Sequence, residues 1–154
     1  MAPSSSGLPL FAIVGLADTA VQEARDRVRA ALRAAGFEFP NARVVVNLAP
    51  APLRKHGTGF DLPIALAVLL ATRQLPARLF QNVTAVGELG LDGTVRGVPG
   101  MLAHAISASR TEHALLRAHQ MHGTTTAARA PFFAPIYFRE HSREIATLRQ
   151  VMSV

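Results

Sequence analysis

The chain has no cysteine and no tryptophan, one tyrosine, and one lysine among its 16 basic residues. Without cysteine it forms neither disulfides nor thiolate metal sites, and a reducing compartment fits. With no tryptophan, one tyrosine and most phenylalanines reading as core, base stacking on aromatic platforms is disfavoured. Long apolar runs are missing too: none reaches the roughly 18 residues that suggest a membrane-spanning helix. Met1–Gly7 carries neither a basic start nor an apolar signal core. A cytoplasmic protein with no membrane partner is expected. The phosphate-cradling string of Gly, four residues, Gly, Lys and Ser or Thr does not occur; Lys55 precedes its glycines, the reverse order. Lys55 is the one candidate for any mechanism that needs a lysine.

What is present is a globular composition. The 154 residues are 49% hydrophobic and 17% charged, enough for one domain, or one domain with an extension, around a real core. Sixteen basic residues against 10 acidic leave a net charge of +6. A positive surface favours an anionic partner such as nucleic acid. Fifteen of those 16 being arginine also fits a GC-rich genome with no binding task.

Leu10–Val14 reads as a short strand stopped by Gly15. Asp18 and Thr19 offer caps for a helix, with Gln22 at a capping-box spacing from Thr19. Val21, Ala24, Val28, Ala31, Leu32 and Ala35 form its apolar face, and Gly36 its stop. Arg25, Arg29 and Arg33 make a basic stripe, which is either a solvated face or part of a binding surface. Arg43–Ala49 predicts a central β-branched strand, and Leu62–Thr72 a buried helix with Pro63 in its first turn. Asn82–Glu88 predicts a strand. Gly90–Gly93 is a turn, Thr94–Arg96 returns from it, and a helix follows over Gly100–Ser109. This order predicts an α/β two-layer domain with a mixed sheet. Beyond Arg110, Thr111–Met121 reads as helical and Gly123–Thr126 as a loop. Pro131–Phe138 reads as a short strand, and Ser142 as the cap of a last helix presenting Ile145, Leu148 and Val151.

Three segments, Phe11–Pro40, Arg43–Ala71 and Val86–Ala108, taken together resemble the N-terminal domain of the ComM-type, magnesium-chelatase-like AAA+ proteins. The loop Arg54-Lys55-His56-Gly57-Thr58-Gly59-Phe60-Asp61-Leu62-Pro63 looks like the active-site loop of a Lon-type serine protease domain, and VGELGLDGTVRGV is the segment that these related domains share most widely. The resemblance implies a Lon-protease-like fold with helices packed on one face of the sheet. It covers residues 8–110 as the domain, with 111–154 as a diverged extension completing it or appended to it. It also implies a DNA-processing context, in which a hexameric AAA+ motor drives branch migration during natural transformation. Compared with the family, the chain is expected to be a truncated copy that stops before the ATPase module.

Within that resemblance Gly59 stands at the position of the nucleophilic serine and Leu102 at that of the catalytic lysine. A Lon-type site needs both side chains, so a non-enzymatic domain is expected. Gly57 and Asp61 belong to the same degenerate site. Gly57 and Gly59 also read simply as a tight turn needing positive φ, and Asp61 as a helix cap. His113, His119 and His122 have spacings that do not converge on a metal, and no cofactor is expected. Arg54, Lys55 and His56 read as an exposed cationic loop able to touch phosphates, helped by the amides of the helix starting near Asp61 and extended by Arg25 and Arg29. The candidate partners are DNA, an AAA+ module, or a second copy of the chain. The competing reading is a structural or oligomerisation domain with no nucleic-acid role.

Overall fold

The computed structural model describes residues 10–118 and 142–145. The chain has an α/β fold, and its first unit is strand–helix–strand. β1 (Phe11–Val14) and β2 (Val44–Asn47) pair in parallel, Phe11 beside Val44 and Val14 beside Asn47. A parallel pair requires a crossover, and α1 (Thr19–Ala34) supplies it. Of the two possible caps, Asp18 is the one used: its side chain accepts the Val21 N–H at 2.8 Å, and Thr19 is already helical. Val21, Ala24, Val28, Ala31 and Leu32 of the predicted apolar face are buried.

β2 is not a central strand among the described residues. It pairs with β1 alone, and exposure alternates along it. The β-branched run suggested a central strand, yet of its three valines only Val44 and Val46 pack against the core.

α2 (Asp61–Ala71) is buried on nearly every side, with Leu62, Ile64, Ala65, Leu66, Val68 and Leu69 in the core. The predicted strand Asn82–Glu88 divides into β3 (Val83–Ala85) and β4 (Glu88–Leu89). The interruption has a backbone cause. The Gly87 N–H donates to the Gly59 carbonyl at 3.1 Å, and the Gly87 carbonyl accepts the Leu62 N–H at 3.0 Å. These bonds take residue 87 out of any ladder and tie it to the start of α2. β4 then forms the expected hairpin with β5 (Val95–Arg96), Glu88 opposite Arg96 and Leu89 opposite Val95.

α3 (Met101–Arg110) agrees with the expected helix. The expected helix over Thr111–Met121 does not: residues Ala114–Ala118 form β6, parallel to β3. Leu115, Leu116 and Ala118 are buried there, so tertiary burial decides the conformation over local propensity. Ser142 is likewise no helix cap, since β7 (Ser142–Ile145) runs parallel to β6. The readings for Gly123–Thr126 and Pro131–Phe138, and for Leu148 and Val151, lie outside the described residues.

Among the described residues one ion pair crosses the core. Arg27 of α1 approaches Asp61 of α2 with both prongs of its guanidinium, Nε to Oδ2 at 2.6 Å and Nη2 to Oδ1 at 3.0 Å. The Leu89 N–H of β4 donates to the same Oδ2 at 3.1 Å, and Arg27 Nη2 also donates to the Ala20 carbonyl at 2.6 Å. Asp61 is fully buried and makes no capping bond, which corrects its reading as a helix cap. Burial pushes its carboxyl up from the ordinary value, while Arg27 and the Leu89 amide pull against that shift.

Arg27→Ala leaves this carboxylate buried without its cation, which should cost about 3–5 kcal/mol in urea unfolding. The double change Arg27→Leu/Asp61→Leu should recover part of that loss. A single-variant loss below about 1 kcal/mol would show that the pair is not holding the helices.

Candidate functional site

The loop between β2 and α2 is anchored at both ends by carboxylates. At its start the chain crosses to the residues before α1: the Lys55 N–H donates to the Leu16 carbonyl at 2.7 Å, and the Asp18 N–H to the Lys55 carbonyl at 3.1 Å. Asp18 then spans two elements. One carboxylate oxygen caps α1 at Val21, and the other accepts the Gly57 N–H at 3.0 Å. These two amides hold its carboxyl below the usual value, with further help from His56 and Arg54. At the far end, Asp61 is locked to Arg27 as described above.

This anchoring reorders the expected cationic loop. Successive side chains of an extended segment point to opposite sides, so Arg54 and His56 are exposed while Lys55 turns inward, 5% exposed. The Lys55 ammonium donates to the Pro50 carbonyl. It is therefore not available to a phosphate in this structure. His56 Nδ1 lies 3.8 Å from Asp18 Oδ2, so the exposed imidazole sits beside a carboxylate. The α2 amides are also taken. Asp61 donates to the Thr58 carbonyl at 3.1 Å, Leu62 to Gly87 at 3.0 Å and Ile64 to Phe60 at 3.0 Å, and Pro63 has no N–H. The expected anion cradle at this helix start is thus already filled from within the chain.

Gly57 has the positive φ expected of a tight turn, +78°, but Gly59 does not adopt a left-handed backbone. A side chain at Gly59 would instead meet two valines, its Cβ 3.3 Å from Val86 Cγ2 and 3.5 Å from Val98 Cγ2. Leu102 is exposed on α3. The neighbouring hydroxyl, Thr58 Oγ1, donates to Glu88 Oε2 at 2.6 Å, and Glu88 lies 3.7 Å from Arg96. This Thr58–Glu88–Arg96 row ties the loop to the hairpin.

The basic stripe separates in use. Arg25 is exposed and donates to the Gln22 carbonyl of its own helix at 3.0 Å. Arg29 lies over the rings of Phe39 and Phe11, 5.1 and 6.0 Å from their centroids, and covers that edge of the core. Arg27 was missed in the sequence, although it lies three residues after Ala24 and four before Ala31, inside the apolar stripe. A charge at that spacing is the signal for a buried pair. His113 Nδ1 lies 3.1 Å from the Thr84 hydroxyl. Among the described residues no three metal-ligating side chains converge, and His119 and His122 lie outside them.

Comparison with known proteins adds the following. Residues 2–119 match the family described as subunit ChlI of Mg-chelatase. The protein YifB of Salmonella typhimurium is 51% identical over 106 residues, which is 69% of this chain and 21% of that protein. YifB of Escherichia coli is 49% identical over 107 residues, 70% of this chain and 21% of its own length. The competence protein ComM of Haemophilus influenzae is 46% identical over 116 residues, 75% of this chain and 23% of that protein. The matched region thus spans only 21–23% of the length of these relatives.

Asp18 gives the loop a pH dependence. Its folded-state pKa is depressed, so its contribution is complete above the ordinary carboxylate range and is lost as pH falls through the folded value. Asparagine can accept only one of the two amides at a time through its single carbonyl oxygen. The Tm difference between wild type and Asp18→Asn should be largest at neutral pH, begin to shrink as pH falls through about 4, and vanish only below the depressed folded-state value. A difference that persists unchanged into strong acid would contradict the assignment.

Proposed function

The chain belongs to the family of the Mg-chelatase subunit ChlI, and we propose that it acts as a non-catalytic, Lon-like assembly domain of ComM type. Its task on this reading is to hold parts of a DNA-processing AAA+ machine together, with ATP hydrolysis supplied by a separate module.

The position of Lys55 carries the proposal. It is the only lysine in the chain, and its ammonium is buried on the Pro50 carbonyl. This one placement removes the amine from two roles at once. A lysine general base must reach the hydroxyl it activates, and a phosphate-binding lysine must reach the surface. Gly59 facing Val86 and Val98, and the apolar Leu102 on α3, support the same conclusion about catalysis. The Thr58 hydroxyl is already bonded to Glu88. Nothing in the described site favours magnesium or porphyrin chemistry as the task of this domain.

A second reading keeps a DNA contact. Arg54 and His56 remain exposed at one turn of a chain with net charge +6. That contact would be to the phosphate backbone and would weaken steeply with salt.

The two readings separate in one titration of a labelled duplex and a branched junction at low and physiological salt, with Arg54→Ala/His56→Ala alongside. The assembly reading predicts no measurable affinity at physiological salt and little effect of the double change at low salt. A tight, salt-steep affinity abolished in the double variant would replace it with the DNA reading. A serine/threonine-directed covalent probe should label nothing, and labelling of Thr58 would overturn the non-catalytic assignment.

A further inference from the structure

The β1–β2 pair has one face in the core and one in solvent. Phe11, Ile13, Val44 and Val46 pack into or against the core. By alternation, the outward positions are Leu10, Ala12 and Val14 on one strand and Arg43, Val45 and Asn47 on the other. Leu10 and Val14 are exposed, and Val45 is 50% exposed. The apolar strip continues beyond β1 to exposed Leu16, whose carbonyl holds the Lys55 N–H. That bond brings the exposed Leu53–Arg54 corner alongside. A contiguous apolar surface with a polar rim marks an interaction site, unlike single exposed leucines.

The rim is mainly basic. Arg43 lies opposite Leu10 at one end and Arg54 follows Leu53 at the other, both exposed, and the carboxylate near Arg54, that of Asp18, is already engaged by the Val21 and Gly57 amides. A second copy would bring arginine against arginine on a chain already at net +6. A nucleic-acid backbone would match the arginines but leave the apolar centre unmatched. Charge complementarity therefore selects the occupant. Resting on the assembly reading above, we propose that this face docks a protein segment with an apolar centre and acidic residues at both ends.

The test uses the full chain and two fluorescent synthetic peptides with the same leucine–valine centre, one flanked by glutamates and the other by lysines. The acidic peptide should bind about tenfold or more tightly than the basic one. Val45→Asp should abolish that binding. Arg43→Glu should shift the preference toward the basic peptide, an outcome that an unfolded variant could not produce. Equal binding of the two peptides, or binding of neither, overturns the proposal. So does a dimer in sedimentation that Val45→Asp dissociates, because the occupant would then be a second copy. The assembly reading itself stands or falls on the DNA titration and covalent probe above, so the two failures are distinguishable.

Discussion

Three elements of this protein meet at the Arg27–Asp61 ion pair. α1 brings the guanidinium, α2 begins with the carboxylate, and β4 adds the Leu89 amide. An isolated charge in that position would be strongly unfavourable, so the helices and the hairpin are constrained to arrive together. The pair carries this geometric demand whether or not it adds net stability over an apolar substitute. Because Asp61 is also where the loop from β2 ends, the pair determines where residues 54–60 can run.

Asp18 supplies the other constraint. It caps α1 and receives the Gly57 amide, so the loop leaves the first unit along a defined path. Between these two carboxylates the extended segment has one free choice, which side chains face inward, and Lys55 is the one that does. The chemical character of the surface follows. The sole lysine is withdrawn, the α2 amides are consumed by carbonyls of the same chain, and the exposed His56 stands near Asp18. Among the described residues an apolar surface lies open beside the exposed Arg54: the outer side of β1–β2 and its continuation at Leu16 and Leu53.

Much of this was legible in the sequence because it is local. The apolar spacing of Val21, Ala24, Val28 and Leu32 placed α1, and the Gly90–Gly93 turn placed the β4–β5 hairpin. The family resemblance was legible for the same reason, since its motifs are contiguous. What was not legible depends on partners distant in the chain. β6 is a strand because Val83–Ala85 lies beside it, and nothing within Thr111–Met121 announces that neighbour. β2 has an open face although its β-branched run reads as a central strand. Lys55 reads as a surface cation until the bond between Leu16 and its own amide sets its direction. Asp61 reads as a cap until Arg27 is brought to it from 34 residues away.

Acylation of the lysine amine is the most direct check on this arrangement, because the chain has one such residue and peptide mapping separates it from the N-terminus. In the folded protein Lys55 should react with an N-hydroxysuccinimide ester far more slowly than a free lysine, and in urea it should react at the free rate. Labelling of Lys55 at the free rate in the folded state, without loss of structure, would contradict its withdrawal from the surface and return the loop to the list of phosphate-binding or catalytic sites.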